Sequence, residues 1–218
     1  MNRPVHKKSE YPLTSPRSFV LFTAALATLG AGCGPAPQRL PDRVNIALID
    51  ATVGPAMASG KAWDGPGQIS IDVLRGVSQV LARAPARGRA EDAARTGAVV
   101  AEITAAVAAT IAPPDPKGTV DLLVAGSSRR LALVERQDTY HPAWSGVSFD
   151  QVPLVEGLRL RIQLFDADDI GSDDPIGTAE LTYDDVVTAL SYEQVLQVRV
   201  YEQTRGQLHF VGISVTAR

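Results

Sequence analysis

The chain has 218 residues, 45% of them hydrophobic, and a formal charge of −3. That composition excludes a disordered or fibrous protein and fits one principal folded domain. The negative balance, with no cluster of Lys and Arg to offset it, excludes a nucleic-acid binder.

At the N-terminus Arg3, Lys7, Lys8 and Arg17 precede an apolar run from Phe19 to Ala31. Its length suits the apolar core of an export signal and falls short of a membrane span. Residues 1–32 are therefore expected to be a signal peptide. The sole cysteine, Cys33, follows in Leu29-Gly30-Ala31-Gly32-Cys33. This resembles a bacterial lipobox, with the leucine one place early. The resemblance implies acylation of Cys33 and a membrane-anchored place in the bacterial cell envelope. A free thiol in an exported protein would be prone to oxidation, which favours the acylated reading. Without residues 1–32 the chain keeps 17 basic and 23 acidic residues, a charge of −6. Residues 33–42, Pro-rich from Gly34 to Pro41, read as a tether to a domain at 43–218.

The first strand is predicted from Val44, Ile46 and Leu48 alternating with Asn45, Ala47 and Ile49. Asp64 follows a Gly- and Ala-rich loop. Apolar residues then recur at helical spacing, in Val73, Leu74, Val77, Val80 and Leu81 and again in Val99, Val100, Ile103, Val107 and Ile111. Two helices are expected, broken at Ala84–Gly88, with their apolar faces packed on each other. This hairpin, at about 67–112, needs its two ends close together for the flanking strands to pair.

From Asp115-Pro116 the strand pattern resumes. Val120–Ala125, Arg130–Arg136, Val147–Val152 and Leu158–Phe165 are separated by turns rich in Gly, Ser, Pro and Asp. Ile176–Leu181, a short helical crossover over Tyr183–Leu190, and strands at Gln194–Tyr201 and Gln207–Thr216 complete the chain, with Thr204-Arg205-Gly206 as a hairpin turn. Regular short strands punctuated in this way imply a β-sandwich.

The stretch Leu164–Gly177, LFDADDIGSDDPIG, carries five aspartates within nine residues. At an effective dielectric near 20, two carboxylates about 5 Å apart repel by roughly 3 kcal/mol. Such a cluster either takes up protons or holds a cation. Oxygen ligands on a flexible loop favour calcium. An EF-hand fits poorly, because counting from Asp166 puts Ile170 at the fifth place and Gly177 at the twelfth.

The pattern instead resembles the third calcium-binding loop of a C2 domain, with Asp166, Asp168, Gly171, Asp174 and Ile176-Gly177 in the family's places. Tyr140-His141-Pro142-Ala143-Trp144 is similar to the family's Asn-Pro-x-Trp turn, with His141 for Asn. Here the proline would fix the turn and the indole would cover the core edge. The resemblance covers Val44–Asp64 and Asp115 to about Val215. The separation of 51 positions from Asp64 to Asp115 departs from the family's loop one and holds the helical insertion. The implied fold is mainly β: an eight-stranded antiparallel C2-like β-sandwich of the permuted type II topology, with a helical hairpin in the first calcium-binding loop.

The resemblance further implies that Asp64, Asp115, Asp166, Asp168 and Asp174 converge on one to three calcium ions, with Asp169 and Asp173 pointing outward and Ser172 available as a further oxygen. Two functions follow as expectations. One is calcium-dependent binding of membrane phospholipid or an acidic protein partner. The other is a protein-interaction module whose inserted helices make the contact, with calcium structural or absent. Catalysis is not expected. Beyond the leader the chain has only His141 and His209, no Gly-x-Ser-x-Gly elbow, no phosphate-cradling loop and no thiol nucleophile.

Overall fold

The structure, a computed structural model, describes residues 39–64, 66–89, 91, 92, 94–98, 111–168, 172–192, 194–201 and 207–218. The chain divides into two units, 1–39 and 40–218. The expected signal peptide, Cys33 and most of the tether lie outside the described residues, as do the Thr204-Arg205-Gly206 turn and residues 99–110 of the expected second helix.

Residues 40–218 build nine described strands: β1 (Arg43–Val53), β2 (Arg87–Arg89), β3 (Pro116–Val124), β4 (Ser127–Leu133), β5 (Ser148–Pro153), β6 (Arg159–Asp166), β7 (Asp174–Thr182), β8 (Leu196–Arg199) and β9 (Leu208–Ala217). Helix α1 (Ile71–Arg83) lies between β1 and β2, and α2 (Tyr183–Leu190) between β7 and β8. One sheet runs β2-β8-β9-β1-β5 and the other β4-β3-β6-β7. All their pairings are antiparallel. All eight expected strands form, and the fold is mainly β. The first strand pairs with the last, Val44 opposite Ala217 through Val53 opposite Leu208, as the permuted topology requires.

The core lies between the sheets and follows the period of two. On β1, Val44, Ile46 and Leu48 are buried, then Ala51 and Val53. The change of phase falls where the β1–β9 register slips between Leu48 and Asp50. A bulge there turns Asp50 and Thr52 to the outer face. Strand β9 is covered on both sides: Val211, Ile213 and Val215 join the main core, while Phe210 belongs to a second cluster with Val77 and Leu81 of α1. Trp144 is buried and donates its indole N–H to the Val134 carbonyl at 2.8 Å, so the Pro-x-Trp turn covers the core edge as expected.

The insertion is part of this domain. Ser70 caps α1 by accepting the Val73 N–H at 3.3 Å. At the other end, the Arg199 guanidinium donates to the carbonyls of Leu81 and Ala84, each at 2.6 Å. Helix α1 packs on the sheet at Phe210, with Val73 and Leu74 set against Ala56, Ala62, Ile69 and Ile111, and the expected packing of helix on helix falls largely on residues outside the described set. Its ends close as predicted, with Asp64 bridged to Ala112 in antiparallel fashion.

The stretch read as a break between helices contains the ninth strand. Arg87, Gly88 and Arg89 pair with Val198, Gln197 and Leu196, giving the open edge of β8 a partner. The Arg87 Nε donates to Asp185 Oδ1 at 2.7 Å, while Asp185 Oδ2 accepts the Thr182 N–H at 2.7 Å and its hydroxyl at 2.9 Å. One buried carboxylate therefore caps α2 and anchors β2. Asp185→Ala is expected to destabilise the protein by about 2 kcal/mol and Arg87→Gln by about 0.5 kcal/mol, since the arginine is well exposed. Urea unfolding measures both, and faster exchange of the Arg199 amide, which donates to the Ala86 carbonyl, marks the loosening of β2.

Candidate metal centre

The sandwich brings its acidic loops together at the end where β3 begins, β6 finishes and β7 begins. Pro116 stands opposite Asp166, and Asp166 opposite Asp174. Asp115, Asp166 and Asp174 therefore lie on three neighbouring chain segments. The Asp115 N–H donates to Asp166 Oδ1 at 2.6 Å, and the Ala167 N–H returns to the Asp115 carbonyl at 3.0 Å. Asp64 arrives through its bridge to Ala112, three residues ahead of Asp115.

The five acids are not equivalent. Asp64, Asp115, Asp168 and Asp174 are half-buried, whereas Asp166 is fully buried. The cause is legible in β6: Leu160, Ile162 and Leu164 face the core, and two residues further the same phase carries Asp166 inward. Continuing the alternation by one step would have singled it out from the sequence. Its Oδ1 is satisfied by the Asp115 amide, but Oδ2 is buried without a hydrogen-bond partner.

Burial pushes the Asp166 carboxyl up to about 6. The Asp115 N–H opposes that rise, and the charges of Asp64, Asp168 and Asp115 add to it. Those three acids thus lie within electrostatic reach of Asp166, and Asp174 stands opposite it in register. Among the described residues, no three acidic side chains close onto a common point. Like charges without a cation between them stay apart, and residues 169–171 of the acidic loop, Asp169 included, lie outside the described set.

A hard cation would suit the orphaned oxygen of Asp166. An orphaned, buried carboxylate oxygen requires either a proton or a positive ion, and the charges of Asp64, Asp115 and Asp168 act on it. Asp166 Oδ2 would be the innermost ligand, with Asp64, Asp115, Asp168 and Asp174 around it.

Two contributors were not singled out by sequence reasoning. Asp138, in the left-handed backbone region at φ 50°, donates its N–H to Asp115 Oδ1 at 2.6 Å and so orients that carboxylate. Lys117 forms an ion pair with Asp173 at 2.9 Å. Asp173 stands at the exposed side of the loop, as expected, and Ser172 is exposed too.

A second buried ionisable group carries an opposite pH signature. Burial holds His209 down at about 4, and its Nε2, packed against Gly54, has no partner. The raised Asp166 value costs stability as pH climbs from about 4 to 6, while the lowered His209 value restores it from about 4 to 6.5. Each is worth roughly 3 kcal/mol, and the two act in opposite directions in the ion-free protein. His209→Gln removes one of them. Its stability is expected to fall by about 3 kcal/mol between pH 4 and 6, more steeply than the parent's, as read by urea unfolding in a chelator.

No protein-family model matches the chain, and no curated protein sequence matches it. Solved structures with a similar strand arrangement include C2 domains. The first C2 domain of a plant extended synaptotagmin 1 is 10% identical, over 82% of this chain and 95% of that one, with a TM-score of 0.41. The paired C2 domains of extended synaptotagmin 2 are 16% identical, over 88% of this chain and 48% of that one, with a TM-score of 0.39. Human GIVD cytosolic phospholipase A2 is 12% identical, over 81% of this chain and 16% of that one, with a TM-score of 0.38. This chain thus spans about half of the second structure and about a sixth of the third.

Proposed function

We propose that residues 40–218 form a calcium-dependent binding module for membrane phospholipid, carried by an exported protein anchored through an acylated Cys33 in the bacterial cell envelope. The observation that carries the calcium half is the fully buried Asp166, with one oxygen unpartnered and three other acids acting on it. The N-terminal basic and apolar pattern ahead of Cys33 supports export and anchoring.

In this reading the chain's own residues do the positioning. The Asp138 N–H holds Asp115, and the Asp115 N–H holds one oxygen of Asp166, which leaves the other buried, unpartnered and available to a cation. Asp64, Asp168 and Asp174 complete the rim. Calcium, when bound, supplies the positive charge that lets anionic headgroups approach an otherwise repulsive end. An extracellular site of about 10⁻⁴ to 10⁻³ M affinity would be filled where calcium is plentiful. The role is binding, without catalysis.

The test uses the chain with Cys33→Ala, which removes the acylation site. Terbium bound beside Asp64 is expected to luminesce on excitation of the adjacent Trp63 and to be displaced by calcium. Vesicles of phosphatidylcholine with a fifth phosphatidylserine are expected to float the protein in millimolar calcium and to leave it behind in chelator. No terbium signal and no calcium effect on unfolding would overturn the calcium site. Calcium binding without flotation would replace the lipid with the acidic protein partner.

A further inference from the structure

Lys117 brings a fixed positive charge to the acidic end. It directly follows Asp115-Pro116, on the β3 position opposite Phe165, which in turn stands opposite Pro175 of β7. From there its Nζ reaches the carboxylate of Asp173 at 2.9 Å, with both side chains about a third exposed or slightly more. That carboxylate also accepts the backbone N–H of Asp168. Asp168 and Glu135 lie within electrostatic reach of the same ammonium. Asp173, just ahead of β7, is thereby fastened to β3 by a cation that belongs to the chain.

We propose, resting on the calcium reading above, that the ammonium of Lys117 takes the place of an outer metal ion, so that the acidic end accepts a single divalent cation at Asp166 rather than several. The charge arithmetic favours this. An inner ion answers the buried Asp166 with Asp64, Asp115, Asp168 and Asp174 around it, whereas Asp173 on the exposed side is already paired with the lysine. A second divalent ion at the Asp168–Asp173 side would have to approach that ammonium, a repulsion that an ion of twice the charge feels twice over. The same contact ties Asp173 to β3 before any metal arrives.

Calorimetric titration of the full chain with calcium reads the stoichiometry directly. The parent is expected to bind one ion per chain and Lys117→Gln two, the second more weakly, while Lys117→Arg keeps one. In chelator, Lys117→Gln is expected to unfold about 2–4 °C below the parent, and calcium to abolish the difference. A parent that binds two or more ions, or a Lys117→Gln variant that binds one ion with unaltered ion-free unfolding, overturns the inference and leaves the calcium site standing. A parent that takes up neither calcium nor terbium overturns the calcium site itself, and the inference with it.

Discussion

Asp166→Asn is expected to stabilise the ion-free protein by about 2–3 kcal/mol at pH 7.5 and to abolish its response to calcium. Above pH 6 the parent holds a charged carboxylate in a fully buried place with one oxygen unpartnered and three acids nearby. Asparagine keeps an oxygen to accept the Asp115 N–H and carries no charge, so the buried repulsion vanishes. The gain should disappear below about pH 4, where the parent's carboxyl is protonated in both the folded and the unfolded chain. With the Asp166 contribution gone, the His209 effect is left bare, and the variant's stability should climb by roughly 3 kcal/mol from pH 4 to 6.5. Urea unfolding with and without calcium checks all of this. A variant less stable than its parent at pH 7.5 in chelator would mean that Asp166 is satisfied as an anion and needs no ion.

Phe210→Ala is expected to cost about 3–5 kcal/mol. Phe210 is buried on the outer face of β9 beneath Val77 and Leu81, in a cluster separate from the main sandwich core among the described residues. Removing the ring opens a void under α1 that neither aliphatic side chain can fill. If the insertion were a loosely attached arm, the helix would lift away and the loss would stay near 1 kcal/mol, the hydrophobic value of a partly exposed side chain. Thermal unfolding followed by circular dichroism separates the two: an integral insertion melts with the sheets in one transition, and a detached one loses helix first.

Much of this architecture is written in the sequence as period and punctuation. Eight strands follow from alternation between turns, α1 from the 3.6-residue recurrence of Val73, Val77 and Leu81 behind Ser70, and the acidic end from carboxylate density after Leu164. The rest depends on neighbours distant in the chain. Strand β2 is three residues, Arg87-Gly88-Arg89, too short to show a period, and it exists because β8 offers an edge and Asp185 a partner for Arg87. Lys117 meets Asp173 only because β3, β6 and β7 lie side by side. The outward seating of Phe210 follows from a helix placed over β9 by a connection more than a hundred residues upstream.

The pairing of β1 with β9 sets the polarity of the whole module. The Arg43 carbonyl accepts the amide of Arg218, while at the far end of the same eleven-residue strand Val53 donates to the Tyr140 carbonyl beside the Thr139–Pro114 contact that borders Asp115. Both chain ends of the sandwich therefore emerge at one pole and the carboxylates sit at the other, about 35 Å away by strand rise. A surface met by the carboxylates would therefore touch the sandwich at the pole away from Arg43 and Arg218.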